Sequence, residues 1–138
     1  MIYLSKLLNQ KVWDVFGRVV GRLEDVLVEH TEQSMPPIIA IVVKGSDGGE
    51  ELIKASSLVT LWPSITLNTR KEEPLIYQPD GHELLLKRRV LDQQIVDTEG
   101  KRLVRVNDLQ LARKDHSFYL TGVDVGGFGL IRRLGLDN

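Results

Sequence analysis

Four acidic residues lie close together in the first quarter of the sequence, and carboxylates are the side chains that bind hard cations. They are Glu24, Asp25, Glu29 and Glu32. Mg²⁺ prefers octahedral oxygen ligands and keeps several of its waters, so a few carboxylates would suffice to hold it. An acidic stretch that runs into a polar loop is more often a solvated face. We therefore expect no metal site, with Mg²⁺ at this cluster as the minor alternative.

The other residue types that support catalysis are scattered along the chain. His30, His82 and His116 lie in three separate polar turns, without metal-ligand spacing and without a nucleophile partner. The glycines of residues 126–129 lack the Lys-Ser/Thr of a phosphate-binding loop and the full glycine pattern of a dinucleotide-binding fold. The sequence predicts no catalytic residues, no cofactor and no enzyme.

Charge and composition limit the kinds of partner that the chain can have. The 138 residues include 18 basic and 19 acidic side chains, for a formal net charge of −1. The short basic runs at residues 87–89 and 132–133 have no interleaved stacking aromatics, so we expect no nucleic-acid partner. There is no cysteine, which excludes disulfides and thiolate chemistry. The longest apolar run, residues 38–43, is far below the ~18 residues of a membrane span. We expect a cytoplasmic chain that does not itself insert into a membrane.

The most informative pattern is an internal repeat. When residues 8–28 are laid over residues 91–111 without gaps, six of the 21 positions are identical and apolar positions match apolar positions. The identities with chemical or turn-forming side chains are Asp14, Gly17, Arg22 and Asp25 in the first copy and Asp97, Gly100, Arg105 and Asp108 in the second. The repeat predicts that one small unit occurs twice.

The elements that carry these residues are mostly strands. Residues 38–43 are a continuous β-branched run, typical of a strand buried on both faces, and residues 46–49 predict a hairpin turn. Ser5 has the hydroxyl to cap a helical turn over residues 6–9. Strands are expected over residues 11–15 and beyond residue 19, with a bend or bulge at Gly21. An extended segment and one helical turn are expected again between residues 84 and 90.

The repeated residues have structural and functional interpretations. Asp14 and Gly17, like Asp97 and Gly100, suit a tight turn, since Asp accepts backbone N–H bonds and Gly tolerates positive φ. Arg22 with Asp25, and Arg105 with Asp108, could bind an anion or a partner carboxylate. Residues at i and i+3 of a strand face opposite sides unless a bulge intervenes. We therefore expect a structural ion pair or backbone hydrogen bonds in each copy.

The short helical turn, the strand, the Asp-x-x-Gly turn and the Arg-x-x-Asp of the long strand resemble the PRC-barrel family. This family includes the cytoplasmic domain of the photosynthetic reaction-centre H subunit and the ribosome-maturation factor RimM. The resemblance implies small β-barrels built from two repeats, with short helical turns. It divides the chain into a first repeat over residues 2–69, a linker over 70–83, an incomplete second repeat over 84–125, and a hinge with a short amphipathic tail over 126–138.

The second copy, with the segments LTGVDVG and GLIRRLG that follow it, looks like the PRC-barrel extension of some MgtE-type magnesium transporters. That resemblance implies a non-enzymatic regulatory or interaction module on the cytosolic side of such a transporter, tethered to the membrane through domains beyond Asn138. Its partners would be those downstream domains or a second copy of the chain. The alternative is a free-standing adaptor that binds RNA or ribosomal protein as RimM does.

The end of the chain is the remaining candidate for an interaction. The apolar residues there are spaced as on one face of a short helix, which would be too short to be stable alone in water. We expect this tail to cover apolar surface of the second repeat, within one chain or across a homodimer. The residues concerned are Phe128, Leu130, Ile131 and Leu134.

Overall fold

A computed structural model describes residues 1–30, 35–68, 75–97, 102–125 and 130–132. The predicted mostly-β fold class is confirmed, with a few single helical turns beside the strands. The elements are β1 (Ile2–Tyr3), α1 (Leu4–Leu7), β2 (Lys11–Trp13), β3 (Val19–Glu29), β4 (Ile38–Lys44), β5 (Glu50–Lys54), a 3₁₀ turn (Ala55–Ser57), β6 (Leu58–Thr60), β7 (Ile65–Leu67), β8 (Glu83–Leu85), α2 (Leu86–Arg89), β9 (Gln94–Asp97), β10 (Arg102–Lys114), β11 (Ser117–Val125) and β12 (Leu130–Arg132).

The described strands form two open sheets. The seven-stranded sheet has the order β5-β4-β3-β2-β7-β6, with β8 also paired to β3, and the five-stranded sheet has the order β1-β10-β11-β12, with β9 also paired to β10. Among the described residues neither sheet closes on itself. No helix in this part of the chain is long and apolar enough to cross a membrane.

The two halves of the chain exchange short strands. We call residues 1–68 the first half and residues 83–132 the second half. The strand β1 of the first half pairs with β10 of the second, and the strand β8 of the second half pairs with β3 of the first. We call β3 and β10 the long strands, and β1 and β8, which precede the helical turns, the lead-in strands. Each long strand therefore pairs along one edge with the lead-in strand of the opposite half.

The core runs through both halves without a break. The side chains of Leu4 and Leu86, which open the two helical turns, are each 0% exposed and belong to one hydrophobic cluster. That cluster contains residues from β2 to β7 of the seven-stranded sheet and from β10 and β11 of the five-stranded sheet. Burying the apolar faces of two sheets against each other is the main stabilising term for such a fold. The division at residues 70–83 stays a prediction, since the halves share this core.

Several local predictions are confirmed. The β-branched run of β4 is buried along nearly its whole length between β3 and β5. The turn between β4 and β5 is closed by a hydrogen bond from the Gly45 amide to the Gly49 carbonyl, 2.8 Å. The extended segment followed by one helical turn is present as β8 and α2.

The turn between β2 and β3 follows the predicted chemistry. The Asp14 carboxylate accepts the amide N–H groups of Phe16 and Arg18, at 2.8 and 2.9 Å. Gly17 has φ +74°, a conformation that L side chains rarely adopt. Gly100 and the tip of the second hairpin lie outside the described residues, so the matching prediction there stays a prediction.

The irregularity expected at Gly21 is present, and the glycine has a second role. Val12 of β2 lies opposite Gly21 and Trp13 lies opposite Val19, so the register of β3 shifts between Gly21 and Val19. A Cβ at Gly21 would lie 2.5 Å from the carbonyl oxygen of Lys44. The glycine is needed because two backbones approach closely at that point.

Three expectations are wrong. Ser5 does not cap a following helix, because it lies inside α1 and its hydroxyl donates to Asp108. The strand expected over residues 11–15 ends at Trp13, where the Asp14 turn begins. The tail is not helical at Leu130 and Ile131, because these residues form β12 and pair with the edge of β11. An open strand edge offers backbone hydrogen bonds that a three-residue helix cannot supply. Phe128 and Leu134 lie outside the described residues.

Candidate functional site

Asp25 joins β3 of the first half to α2 of the second. Its side chain is 5% exposed, and its carboxylate accepts the amide N–H groups of Val26 at 2.7 Å, Lys87 at 2.7 Å and Arg88 at 3.1 Å. The first-turn amides of a helix have no partner within the helix, so α2 needs such an acceptor. Burial raises the pKa of Asp25 even though these three donors act in the opposite direction.

Asp108 makes the reverse connection, from β10 of the second half to α1 of the first. Its carboxylate accepts the amide N–H of Ser5 at 3.1 Å and that of Leu109 at 2.8 Å, and the Ser5 hydroxyl donates to its other oxygen. Asp108 is 83 positions after Asp25, the offset of the sequence repeat. Both aspartates thus bind the first turn of the helix in the opposite half.

The backbone around the two aspartates recurs at the same offset. The Asn9 amide donates to the Leu23 carbonyl at 2.7 Å, and the Asp92 amide donates to the Val106 carbonyl at 2.8 Å. Asn9 and Asp92 both have positive φ, 67° and 63°. The pairing of the preceding short strand recurs with a one-residue shift: Leu27 lies opposite Leu85 as Gln110 lies opposite Tyr3, so the long strands are 83 residues apart and the short strands 82.

The two arginines of the repeat are exposed. The guanidinium of Arg22 donates to the carbonyl of Asn9 at 2.9 Å. Arg22 lies opposite Lys11 across the ladder of β2 and β3, and Arg105 lies opposite Gln94 across that of β9 and β10. The register shift after Leu23 lies between Arg22 and Asp25. In the first copy of the repeat both side chains form hydrogen bonds with backbone groups, as the sequence predicted. The side chain of Asp97, the remaining repeat residue, is outside the described set.

The acidic cluster near residue 24 is divided among different partners. Glu24 accepts a hydrogen bond from the Lys87 ammonium at 2.8 Å, and this contact lowers the pKa of Glu24. Asp25 is occupied by backbone amides, and Glu32 lies outside the described residues. In the described ranges no group of three or more His, Asp or Glu side chains is arranged to hold a metal ion. All three histidines are exposed. His30 and His82 are neighbours, because the His30 amide donates to the His82 carbonyl at 2.8 Å, whereas His116 lies in the turn between β10 and β11.

One polar cluster was missed by sequence reasoning. Glu83 accepts the amide N–H of Asp80 at 2.5 Å, the hydroxyl of Tyr77 at 2.9 Å and the amide N–H of Gly81 at 3.1 Å. The donors, led by the Asp80 amide, lower the pKa of Glu83 to about 2, and burial with the nearby Glu83 charge raises the pKa of Tyr77 to about 12. The available signal was the spacing Asp80-x-x-Glu83, which is typical of a helix N-terminus. Here Glu83 instead closes a turn in front of the strand β8. The cluster fixes the segment that enters β8.

A second feature that the sequence reasoning passed over is the turn between β6 and β7. Trp62 at this turn is 58% exposed, and cavities of about 190 and 280 Å³ lie on its two sides. The larger cavity is also lined by Trp13, Lys11 and Arg22. An aromatic residue in a loop beside proline was the sequence signal, but its exposure depends on how β7 joins β2.

Comparisons with known proteins leave the family open. No family model matches the chain, and a comparison with curated proteins finds no match. The resemblance to the PRC-barrel family therefore stays a prediction.

Proposed function

We propose that this chain is a non-enzymatic interaction and regulatory module of the PRC-barrel type, made of two copies of one unit. The observation that carries the proposal is the reciprocal bonding of Asp25 and Asp108 to the helical turns of opposite halves. Two copies of a unit related by an approximate twofold axis would make the same contact twice with exchanged roles. Duplication of one unit accounts for this geometry and for the 83-residue offset together.

In this proposal each sheet is one wall of a small PRC-type barrel, completed by the lead-in strand of the other copy. The exchange of β1 and β8 supports this arrangement, since neither long strand has its full set of neighbours within its own half. In this proposal the interlocked halves form one rigid body. Rigid surfaces suit recognition, because little ordering entropy is then lost when a partner binds.

The repeated carboxylates are poor candidates for acid–base chemistry. A general base needs a lone pair within hydrogen-bond reach of a substrate proton. The oxygens of Asp25 are buried and accept three backbone amides, so they have a structural task already. This supports an interaction module over an enzyme.

We place the module on the cytosolic side of an MgtE-like magnesium transporter, where its partner is protein. The resemblance of the second half to the extension found in such transporters supports this location. The partner surface belongs either to downstream domains of the same chain or to a second copy. The near-zero net charge of −1 supports a protein partner over RNA.

Fractionation of cells in which the native gene carries a tag before residue 1, so that the chain is produced in its natural reading frame, tests this function. We expect the chain to sediment with membranes and, after mild detergent, to migrate with a magnesium-transport protein. A chain that sediments with ribosomal subunits would favour the adaptor alternative and contradict the transporter assignment. A chain found free of both fractions would contradict the assignment as well.

RNA binding provides the matched second measurement. The chain should bind neither duplex nor single-stranded RNA appreciably at physiological salt, because the phosphate contribution needs several clustered cations. Micromolar binding that weakens steeply with added salt would support the adaptor instead.

A further inference from the structure

The turn between β6 and β7 has the composition of a recognition surface. Trp62 is 58% exposed at its tip, and Leu61 beside it is buried at 3% exposure. The exposed indole is therefore held on an anchored turn rather than on a loose one. Exposed tryptophans on rigid elements supply contact area at low entropic cost, which is why they are enriched among the residues that dominate binding energy.

Two cavities flank this turn and make a divided groove. On one side a cavity of about 280 Å³ is lined by Trp13, Lys11 and Arg22; on the other, one of about 190 Å³ is lined by Ile2, Phe118 and Arg113. Leu61 and Trp62 line both. Each cavity is smaller than the roughly 300–1,000 Å³ of a typical small-molecule site. Their sizes suit individual side chains of a polypeptide that crosses the Trp62 ridge.

The groove carries positive charge, although the chain as a whole has a formal net charge of −1. Its lining includes the cations Lys11, Arg22 and Arg113, and none of the described residues that line either cavity is acidic. The cations are already positioned. The Lys11 ammonium lies 5.7 Å from the centroid of the Trp13 ring, and the Arg113 guanidinium lies 5.7 Å from that of Phe118. Positioned cations beside apolar walls favour an anionic partner that also offers apolar side chains.

We propose that this groove binds an acidic peptide segment of a partner protein, with apolar side chains entering the two cavities and carboxylates facing Lys11, Arg22 and Arg113. An anionic lipid surface shares the charge but not the shape, since the cavities are concave and a bilayer surface cannot enter them. The inference rests on the proposed interaction function for the kind of partner. It adds the place and the chemistry of the contact.

Intrinsic fluorescence reads this site directly, because the chain has two tryptophans and both line the larger cavity. The probe is a synthetic peptide in which Leu and Phe are flanked by Glu, added to the full chain. Its control is the same peptide with every Glu replaced by Lys. We expect a saturable change in emission with the acidic peptide that weakens as salt is added. The Lys peptide should have no effect.

Variants distinguish the groove from general stickiness. Trp62→Ala should weaken binding by about tenfold or more, as expected when a central aromatic contact of about 1.4 kcal/mol is lost, with Trp13 remaining as the reporter. Lys11→Met and Arg113→Met should each weaken it less. Phe16→Ala removes an aromatic side chain of similar exposure, 61%, at the tip of the β2–β3 hairpin, and should leave binding unchanged. Thermal melts verify that each variant is folded. If Trp62→Ala does not fold, Trp62→Phe replaces it, since this variant retains an aromatic side chain.

Three results would overturn the proposal. They are no response to the acidic peptide, equal binding by the Trp62→Ala and parent chains, and a response to phosphatidylserine vesicles without any to the peptide. A chain that migrates with the transporter but fails these peptide tests loses this inference and keeps the proposed function. A chain that binds the peptide in the groove but does not sediment with membranes keeps the inference and loses the transporter assignment.

Discussion

The two halves contain equivalent hairpins, β2–β3 and β9–β10, but only the first hairpin has a further strand paired to its outer edge within the described residues. In the first half β7 runs parallel to β2, with Ile65 opposite Val12, and Val12 is completely buried. In the second half, β9 pairs with β10 alone within the described ranges, and Ile95, the counterpart of Val12, is half-buried. The covering strands of the first half also build the Trp62 groove. The contacts that hold the halves together recur, and the contacts that distinguish them lie on the outer edges.

Removing the two aspartates should give the largest loss of stability. Asp25→Ala leaves three backbone amides without their acceptor in a buried place, and we expect the free energy of unfolding to fall by about 3 kcal/mol. Asp108 is more exposed and its Ser5 donors can reach water, so Asp108→Ala should cost about 1–2 kcal/mol. Urea unfolding of both variants measures the difference. Equal and small losses would mean that the helical turns do not depend on the opposite half.

The covered and uncovered strands give a matched pair of core substitutions. Val12→Ala should destabilise by about 2 kcal/mol, since two buried methyl groups are lost and β7 cannot move to fill the space. Ile95→Ala removes more carbon from a half-buried place and should cost less than about 1 kcal/mol. Thermal melts rank the two variants. The opposite ranking would indicate that the outer edge of β9 is covered as well as that of β2.

The turn at the tip of the first hairpin gives a smaller effect. Gly17→Ala should destabilise by about 1 kcal/mol, because residue 17 has φ +74°. A Cβ there would meet no atom within 4 Å, so the cost comes from the backbone conformation alone. Gly17→Asn is the control, since Asn tolerates positive φ better. An alanine variant at least as stable as the parent would contradict the strained-turn account.

The Glu83 cluster gives the smallest effect, seen as a pH dependence. Its folded pKa of about 2 lies below the ordinary value of 4.5, so its contribution to stability is present above pH 4.5 and is lost as the pH falls toward 2. The raised pKa of Asp25 has the opposite effect on the pH dependence of stability. The stability that comes from protonation of Asp25 is present below its ordinary pKa of 3.8 and is lost as the pH rises above that value. We expect Glu83→Gln to flatten the stability profile between pH 4.5 and 2. An unchanged slope would exclude Glu83 as its source.

Local patterns made much of the fold predictable. The β-branched run of β4, the Asp14–Gly17 turn and the extended segment before α2 depend on neighbours in the sequence, and each is present. The acceptor role of Asp25 was expected, but its donors Lys87 and Arg88 lie 62 and 63 residues away. Local spacing cannot identify such distant donors.

The failures have the same origin. Ser5 has the side chain of a helix cap, and its hydroxyl instead meets Asp108 from the other half. Leu130 and Ile131 have helical spacing, yet β11 offers them an unpaired edge and they pair as a strand. The groove beside Trp62 could not be predicted either, because it requires β7 to lie parallel to β2. In each case a tertiary partner outweighed a weak local preference.

Cutting the chain between residues 71 and 72 tests the exchange between halves most directly. The fragments 1–71 and 72–138 each lack a lead-in strand and a helix partner that the other supplies. Neither fragment alone should unfold cooperatively on heating, and an equimolar mixture should recover a single sigmoidal transition that weakens when Asp25→Ala is introduced. A fragment that alone melts cooperatively at the midpoint of the intact chain would contradict the exchange.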